Sequence, residues 1–172
     1  MVTDRLPKGY FFVSQQGQTI GGNNRAKQRT KKKQNMIRAT IHLPHYGWTI
    51  YAYIAVNQYY TYEIIDKMRK IGADRDMLAS AHRNLMSGNL NNGLTMSNPI
   101  THETVWVVAL TSSAAEFFNT IVHEIRHLEQ HIANECGLDQ NSEEVCYLCG
   151  DIAFRLFPYC KKLLCEHCRK HN

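Results

Sequence analysis

One segment constrains the fold more than any other, the run AEFFNTIVHEIRHLEQHIANECG from Ala115 to Gly137. At about 100° per residue its large apolar side chains fall on one stripe, as in a helix that packs against a core. Ser113 and Glu116 have the spacing of a capping box, and Gly137 is a typical C-terminal stop. The pattern therefore predicts an amphipathic helix between Ser113 and Gly137.

Strand and helix patterns alternate along the rest of the chain. β-branched and aromatic residues predict strands, and apolar residues three and four apart predict helices. The predicted strands lie at 36–43, 48–56, 93–98 and 103–111, with two shorter ones within 9–22. The predicted helices lie at 62–71, 74–87, 113–136 and 141–157. This order predicts an α+β fold, in which a small mixed or antiparallel sheet packs against several helices.

The size and charge of the chain indicate one domain with a charged loop. The chain has 172 residues, enough for a hydrophobic core, and 44% of them are apolar. The formal net charge is +5, but Arg25–Lys33 alone carries six basic residues and no acid. We therefore expect a single domain over 1–172 with a flexible basic loop at 21–35. That loop could make weak contacts with nucleic-acid phosphates, although a solvated loop accounts for the charge as well.

The apolar runs are too short to predict a membrane segment. The N-terminal region has only a brief apolar run, Tyr10–Val13, and no stretch approaches the roughly 20 apolar residues that span a bilayer. These patterns predict a cytoplasmic protein with no membrane partner. In that compartment we expect the six cysteines to be thiols or metal ligands rather than disulfides.

The predicted helix carries the motif His-Glu-x-x-His, at His123, Glu124 and His127. The two histidines are one turn apart, on the side away from the apolar stripe, and point the same way, as binding of one metal ion requires. Glu124 lies beside them. A helix whose polar outer face happens to carry histidines would have the same pattern, so both interpretations stay open.

A zinc site of this kind needs a third protein ligand. His131 lies one turn beyond His127, but three histidines in line on a straight helix converge poorly. The next predicted helix offers Glu143 and Glu144, and Asp151 further along it could orient one of the histidines.

These residues resemble the HExxH zinc metallopeptidases, in particular the gluzincin-like group and its small ImmA/IrrE-type members. The resemblance covers roughly 113–156. It implies a zincin fold, with His123 and His127 as ligands of one catalytic zinc ion and Glu124 as general base for a zinc-activated water. It favours Glu144 over Glu143 as the third ligand. The implied function is hydrolysis of peptide bonds in a peptide or protein substrate.

The cysteines support a competing interpretation. Cys146-x-x-Cys149 and Cys165-x-x-Cys168 have the spacing of a structural four-cysteine zinc site, the second pair lying in a Cys-rich tail at 158–172. With the basic loop, such a site would indicate a non-enzymatic nucleic-acid-binding module. A continuous helix from 142 to 157 favours the peptidase, and a break after Cys146 favours the module. A zincin fold with a closed site that only binds a partner is a third hypothesis.

Overall fold

The computed structural model describes residues 11–14, 36–87 and 93–170. Within these residues there are five strands and five α-helices. In chain order they are β1 (Phe11–Ser14), β2 (Ile37–Leu43), β3 (Trp48–Val56), α1 (Thr61–Lys70), α2 (Arg75–Met86), β4 (Gly93–Asn98), β5 (Glu103–Ala109), α3 (Ala114–Cys136), α4 (Glu143–Cys160) and α5 (Glu166–Lys170). The predicted α+β class is confirmed.

The strands form one mixed sheet in the order β1-β4-β5-β3-β2. β3 and β5 run parallel, and the other three neighbouring pairs are antiparallel. β5 is central, as its apolar sequence predicts, because Val105–Val108 is buried on both faces. The β2–β3 hairpin is also confirmed, and its turn closes at Gly47 with a left-handed φ of 60° that glycine adopts without strain.

Helices cover both faces of the sheet. On one face α3 and α4 pack over side chains that include Ile50, Ile54 and Trp106. On the other face α1 and α2 pack over a second cluster that includes Met96 and Val107. The strands alternate their side chains between the two layers, which explains why the sheet is apolar on both sides.

The helix ends follow the predicted capping residues. The Ser113 side chain accepts from the Glu116 backbone N–H, and Gly137 ends α3 with φ 69°. Ser142 caps α4 and Asp74 caps α2 in the same way. Local sequence therefore determines where these helices begin and end.

The last long helix extends beyond the predicted residue 157, because α4 continues through Pro158 to Cys160. A proline so close to the helix end removes one backbone hydrogen bond. In the Cys-rich segment at 158–172, the described residues complete α4 and form α5, and Cys160 and Leu163 are buried in the same core cluster as the apolar residues of α3.

The N-terminal predictions are covered only in part. A strand is present at Phe11–Ser14, whereas the second short strand and the basic loop at 21–35 lie outside the described residues. Among the helices that the structure describes, none has the length and apolar character needed to cross a membrane.

Candidate active site on helix α3

Helix α3 lies across β4 and β5 and places Glu124 and His131 against β4. The first contact is between Glu124 and Thr95, whose hydroxyl donates to the Glu124 carboxylate over 2.7 Å. A second lies two turns on, where the His131 ring meets the Ser97 hydroxyl at 2.9 Å. Thr95 and Ser97 are on the same face of β4, so the strand presents a row of hydroxyl groups to the helix.

The two motif histidines converge on one point. The Nε2 atoms of His123 and His127 are 2.9 Å apart, with ring centroids 4.5 Å apart and ring planes at 79°. Both side chains are half-buried. Burial lowers the pKa of His127, and the neighbouring His123 and Arg126 lower it further. Two imidazoles that present their ring nitrogens to one point are suited to hold one cation.

Glu124 is the buried carboxylate of the site, and its side chain has no exposure to solvent. Burial raises its pKa to about 7, although the hydrogen bond from Thr95 opposes the rise. Oε2 accepts that hydrogen bond, whereas Oε1 is buried and has no hydrogen-bond partner in the structure. A carboxylate with a pKa near neutrality and one uncommitted oxygen can exchange protons at physiological pH.

Gly93 makes room for this carboxylate. A Cβ atom built on Gly93 would overlap Cγ, Cδ and Oε1 of Glu124, so any larger residue would displace that side chain. The sequence pattern predicts that Gly93 lies in a strand but indicates no role for it. The available signal was the pattern Gly93-x-Thr95-x-Ser97, in which small and polar residues alternate along an otherwise buried strand.

His131 belongs to a buried network rather than to the converging pair. Its Nδ1 meets the Ser97 hydroxyl, which is 2.7 Å from the Thr104 hydroxyl, and the Trp48 indole donates to Thr104 over 2.8 Å. Burial lowers the pKa of His131 to about 3, and the nearby His127 adds to this effect. A neutral His131 therefore joins α3 to three neighbouring strands.

The side of α3 that faces α4 is marked by Glu129. Burial raises the pKa of Cys149 on α4, and the nearby carboxylate of Glu129 adds to that rise. At 3.6 residues per turn, His127 and His123 lie roughly 160° and 120° around α3 from Glu129. The histidine pair therefore points away from α4.

The two glutamates proposed as third ligands lie on α4 and do not join the pair. Glu143 and Glu144 are exposed in its first turn. Burial is the main cause that raises the pKa of Tyr46, and the nearby Glu144 carboxylate adds to it. The pKa of the Cys136 thiol, at the far end of α3, is raised by burial first, then by Glu135 and then by the same Glu144 carboxylate.

Asp151 does not orient a histidine. Both of its carboxylate oxygens accept from Arg155 Nε at 2.9 Å, one turn along α4. An aspartate four residues before an arginine forms this pair on its own helix surface. The expected role of Asp151 is therefore corrected to an ion pair within α4.

The cysteine pairs are on separate elements. α4 is a continuous helix through Cys146 and Cys149, so the chain does not form the knuckle that a four-cysteine site would require. Cys165 and Cys168 lie at the start of α5, and all six cysteines are free. Over the described ranges, no group of three or more His, Cys, Asp or Glu side chains is arranged to hold a metal ion.

One feature at α3 fits a metal ion, the close approach of the two imidazole Nε2 atoms. The unpartnered oxygen of Glu124 lies against Gly93 instead, and in the described part of the chain no third ligand joins the pair. Comparison of the chain with protein-family models, with curated proteins and with solved structures found no match. Any function assigned to the chain therefore depends on the geometry of His123, Glu124 and His127.

Proposed function

We propose that this chain is a zinc-dependent metallopeptidase, with His123 and His127 as metal ligands and Glu124 as the general base. The observation that carries the proposal is the convergence of two Nε2 atoms, 2.9 Å apart, beside a buried carboxylate with an unpartnered oxygen. A helix that merely exposed histidines to solvent would have no reason to bury Glu124 against a strand that makes space for it.

Each residue of the site has a role in the proposed hydrolysis. His123 and His127 would hold the ion, and zinc would supply a water of lowered pKa and polarise a carbonyl group. Glu124 takes a proton from the attacking water and returns it to the leaving amine nitrogen. A pKa near 7 suits both transfers. Thr95 holds the Oε2 atom of this carboxylate by a hydrogen bond of 2.7 Å.

We also propose a cytoplasmic location, with a peptide or protein as the substrate. The free state of all six cysteines supports a reducing compartment. The continuity of α4 argues against the alternative binding module, which needs a break after Cys146. Contact between Arg25–Lys33 and nucleic acid stays a prediction, because that segment lies outside the described residues.

The proposal is tested by digesting a mixed peptide library with zinc-loaded protein and identifying new termini by mass spectrometry. Glu124→Gln keeps the size of the side chain and its hydrogen bond from Thr95, but it cannot accept a proton. We expect this variant to retain zinc and to cleave at least 10²-fold more slowly than the wild type, within the range of about 10²–10⁴ for loss of a general base.

The control for the library experiment is Glu129→Gln, which removes a second buried carboxylate from the same helix. It should cleave the same bonds as the wild type if it remains folded by circular dichroism. Equal cleavage by wild type and Glu124→Gln would exclude Glu124 as the base. Wild-type protein that holds zinc and cleaves no peptide would exclude the peptidase assignment.

A further inference from the structure

Cys165 and Cys168 form a close pair at the start of α5. Cys165 precedes the helix, and its carbonyl accepts from the Arg169 backbone N–H at 3.0 Å, which closes one helical turn. The Cα atoms of residues three apart on a helical turn lie about 5 Å from each other, a Cα separation that a disulfide can bridge. Cys165 and Cys168 therefore lie on the same turn of the chain.

The two thiols differ in their tendency to ionise. Hydrogen bonds from the backbone and the thiol of Cys168, and from the backbone of His167, lower the pKa of Cys165. The bond to Cys165 raises the pKa of Cys168. Cys165 is exposed, whereas Cys168 is half-buried. This is the asymmetry of a dithiol in which one sulfur attacks and the other resolves.

The turn that carries the pair is held in place by its intervening and flanking residues. The Glu166 carboxylate accepts from the backbone N–H of Ala114, the first residue of α3, over 2.6 Å. Arg169 donates to the carbonyl oxygen of Thr111 over 2.5 Å and to that of Leu163 over 3.0 Å. The pair is thus presented on a docked turn rather than on a loose end.

The other pair with the same spacing provides an internal comparison. Cys146 and Cys149 lie inside α4, where the backbone N–H of Cys146 is already bonded to the Ser142 carbonyl at 3.4 Å. Burial, followed by the carboxylate of Glu129, raises the pKa of Cys149. The α4 pair therefore lacks the features that favour a thiolate at Cys165.

From this geometry we propose that Cys165 and Cys168 are a redox-active dithiol, which is oxidised reversibly by low-molecular-mass disulfides such as glutathione disulfide. The Cys165 thiolate attacks one sulfur of the small disulfide. The S–S bond of that molecule breaks, one thiolate leaves and takes up a proton, and a mixed disulfide remains on Cys165. Cys168 then loses its proton and attacks the Cys165 sulfur, which forms the Cys165–Cys168 bond and releases the second small thiol. Two electrons and two protons pass from the protein to the small disulfide.

The test equilibrates the reduced full-length protein in glutathione buffers of increasing oxidised fraction. Free thiols are then trapped with an alkylating reagent and counted by intact mass and peptide mapping. We expect wild type to lose two alkylatable thiols, mapped to Cys165 and Cys168, and to regain them with dithiothreitol. Cys168→Ser should accumulate a glutathione adduct on Cys165, because no resolving thiol remains. Cys146→Ser should behave as wild type.

Three results would overturn the inference. One is that all six thiols stay alkylatable at every glutathione ratio. Another is a disulfide that maps to a different pair, such as Cys146 and Cys149. The third is that the purified protein holds a metal ion whose content falls in Cys165→Ser and whose removal alone exposes these thiols. None of these results depends on the α3 site, so the test is independent of the peptidase proposal.

Discussion

A single missing side chain at Gly93 allows a carboxylate to be buried at the centre of the site. Glu124 is fully enclosed between α3 and β4, and burial without a charged partner raises its pKa to about 7. Neither fact can be obtained from the motif alone, because the motif places Glu124 on a helix but not against a particular strand. The sequence pattern places Glu124 on α3 beside His123 and His127, but it does not predict the packing that buries the carboxylate.

At Gly93, alanine should displace the Glu124 carboxylate. The added Cβ would overlap the Glu124 side chain, and overpacking of this kind costs about 1–3 kcal/mol. We expect Gly93→Ala to lower the free energy of unfolding in urea by that amount and to reduce peptide cleavage.

Gly150→Ala is the matched control, because nothing lies within 4 Å of its added Cβ. In the exposed interior of α4 it should instead stabilise by about 0.5–1 kcal/mol. A Gly93→Ala variant as stable and active as wild type would contradict the described position of Glu124.

The buried His131 predicts a pH-dependent loss of stability. Its pKa is about 3 in the folded protein and about 6.5 in the unfolded chain, so below pH 6.5 only the unfolded state takes up the proton. The free energy of unfolding therefore falls as the pH drops through this window, by about 2 kcal/mol between pH 7 and pH 5. Urea unfolding of His131→Gln should lack this part of the pH dependence, and the exposed control His45→Gln should keep it. An unchanged pH dependence in His131→Gln would contradict the buried, neutral state of His131.

At the scale of elements, the local signals in the sequence were sufficient. The N-terminal caps of α2, α3 and α4 and the C-terminal stop of α3 occur where they are predicted, because each depends on residues close together in the chain. The position of α4 relative to the histidines could not be predicted in this way. Glu144 is close enough in sequence to reach the pair, but α4 packs on the opposite side of α3, and packing geometry decides that side.

The N-terminal cap of α3 should contribute measurably to stability. The Ser113 hydroxyl accepts from the Glu116 backbone N–H over 3.1 Å, and Ser113→Ala leaves that donor to water. We expect the free energy of unfolding to fall by about 1 kcal/mol. Ser80→Ala, inside α2, is the comparison and should be neutral or slightly stabilising, because alanine has the better helix propensity. Equal effects of the two substitutions would show that the Ser113 cap is energetically unimportant.

At the scale of the whole molecule, the sheet separates two helical layers with different compositions. The layer formed by α1 and α2 packs on an apolar face, whereas α3 meets β4 through hydroxyl, carboxylate and imidazole groups. Polar groups buried in a core cost stability unless they are paired, and the Oε1 atom of Glu124 is not paired. The proposed role of Glu124 as a general base would require such an unpaired carboxylate oxygen.

Metal content is the most direct test of the proposed zinc site on α3. Purified wild type, His127→Ala and His82→Ala would be loaded with zinc, desalted and measured by inductively coupled plasma mass spectrometry. His82 is a half-buried helical histidine on α2, across the sheet from the site, and serves as the control. We expect roughly one zinc ion per chain in wild type and in His82→Ala, and almost none in His127→Ala. Removal of one of the two imidazoles should destroy the site. Wild type without zinc, or His127→Ala with the same zinc content as wild type, would contradict the proposed site.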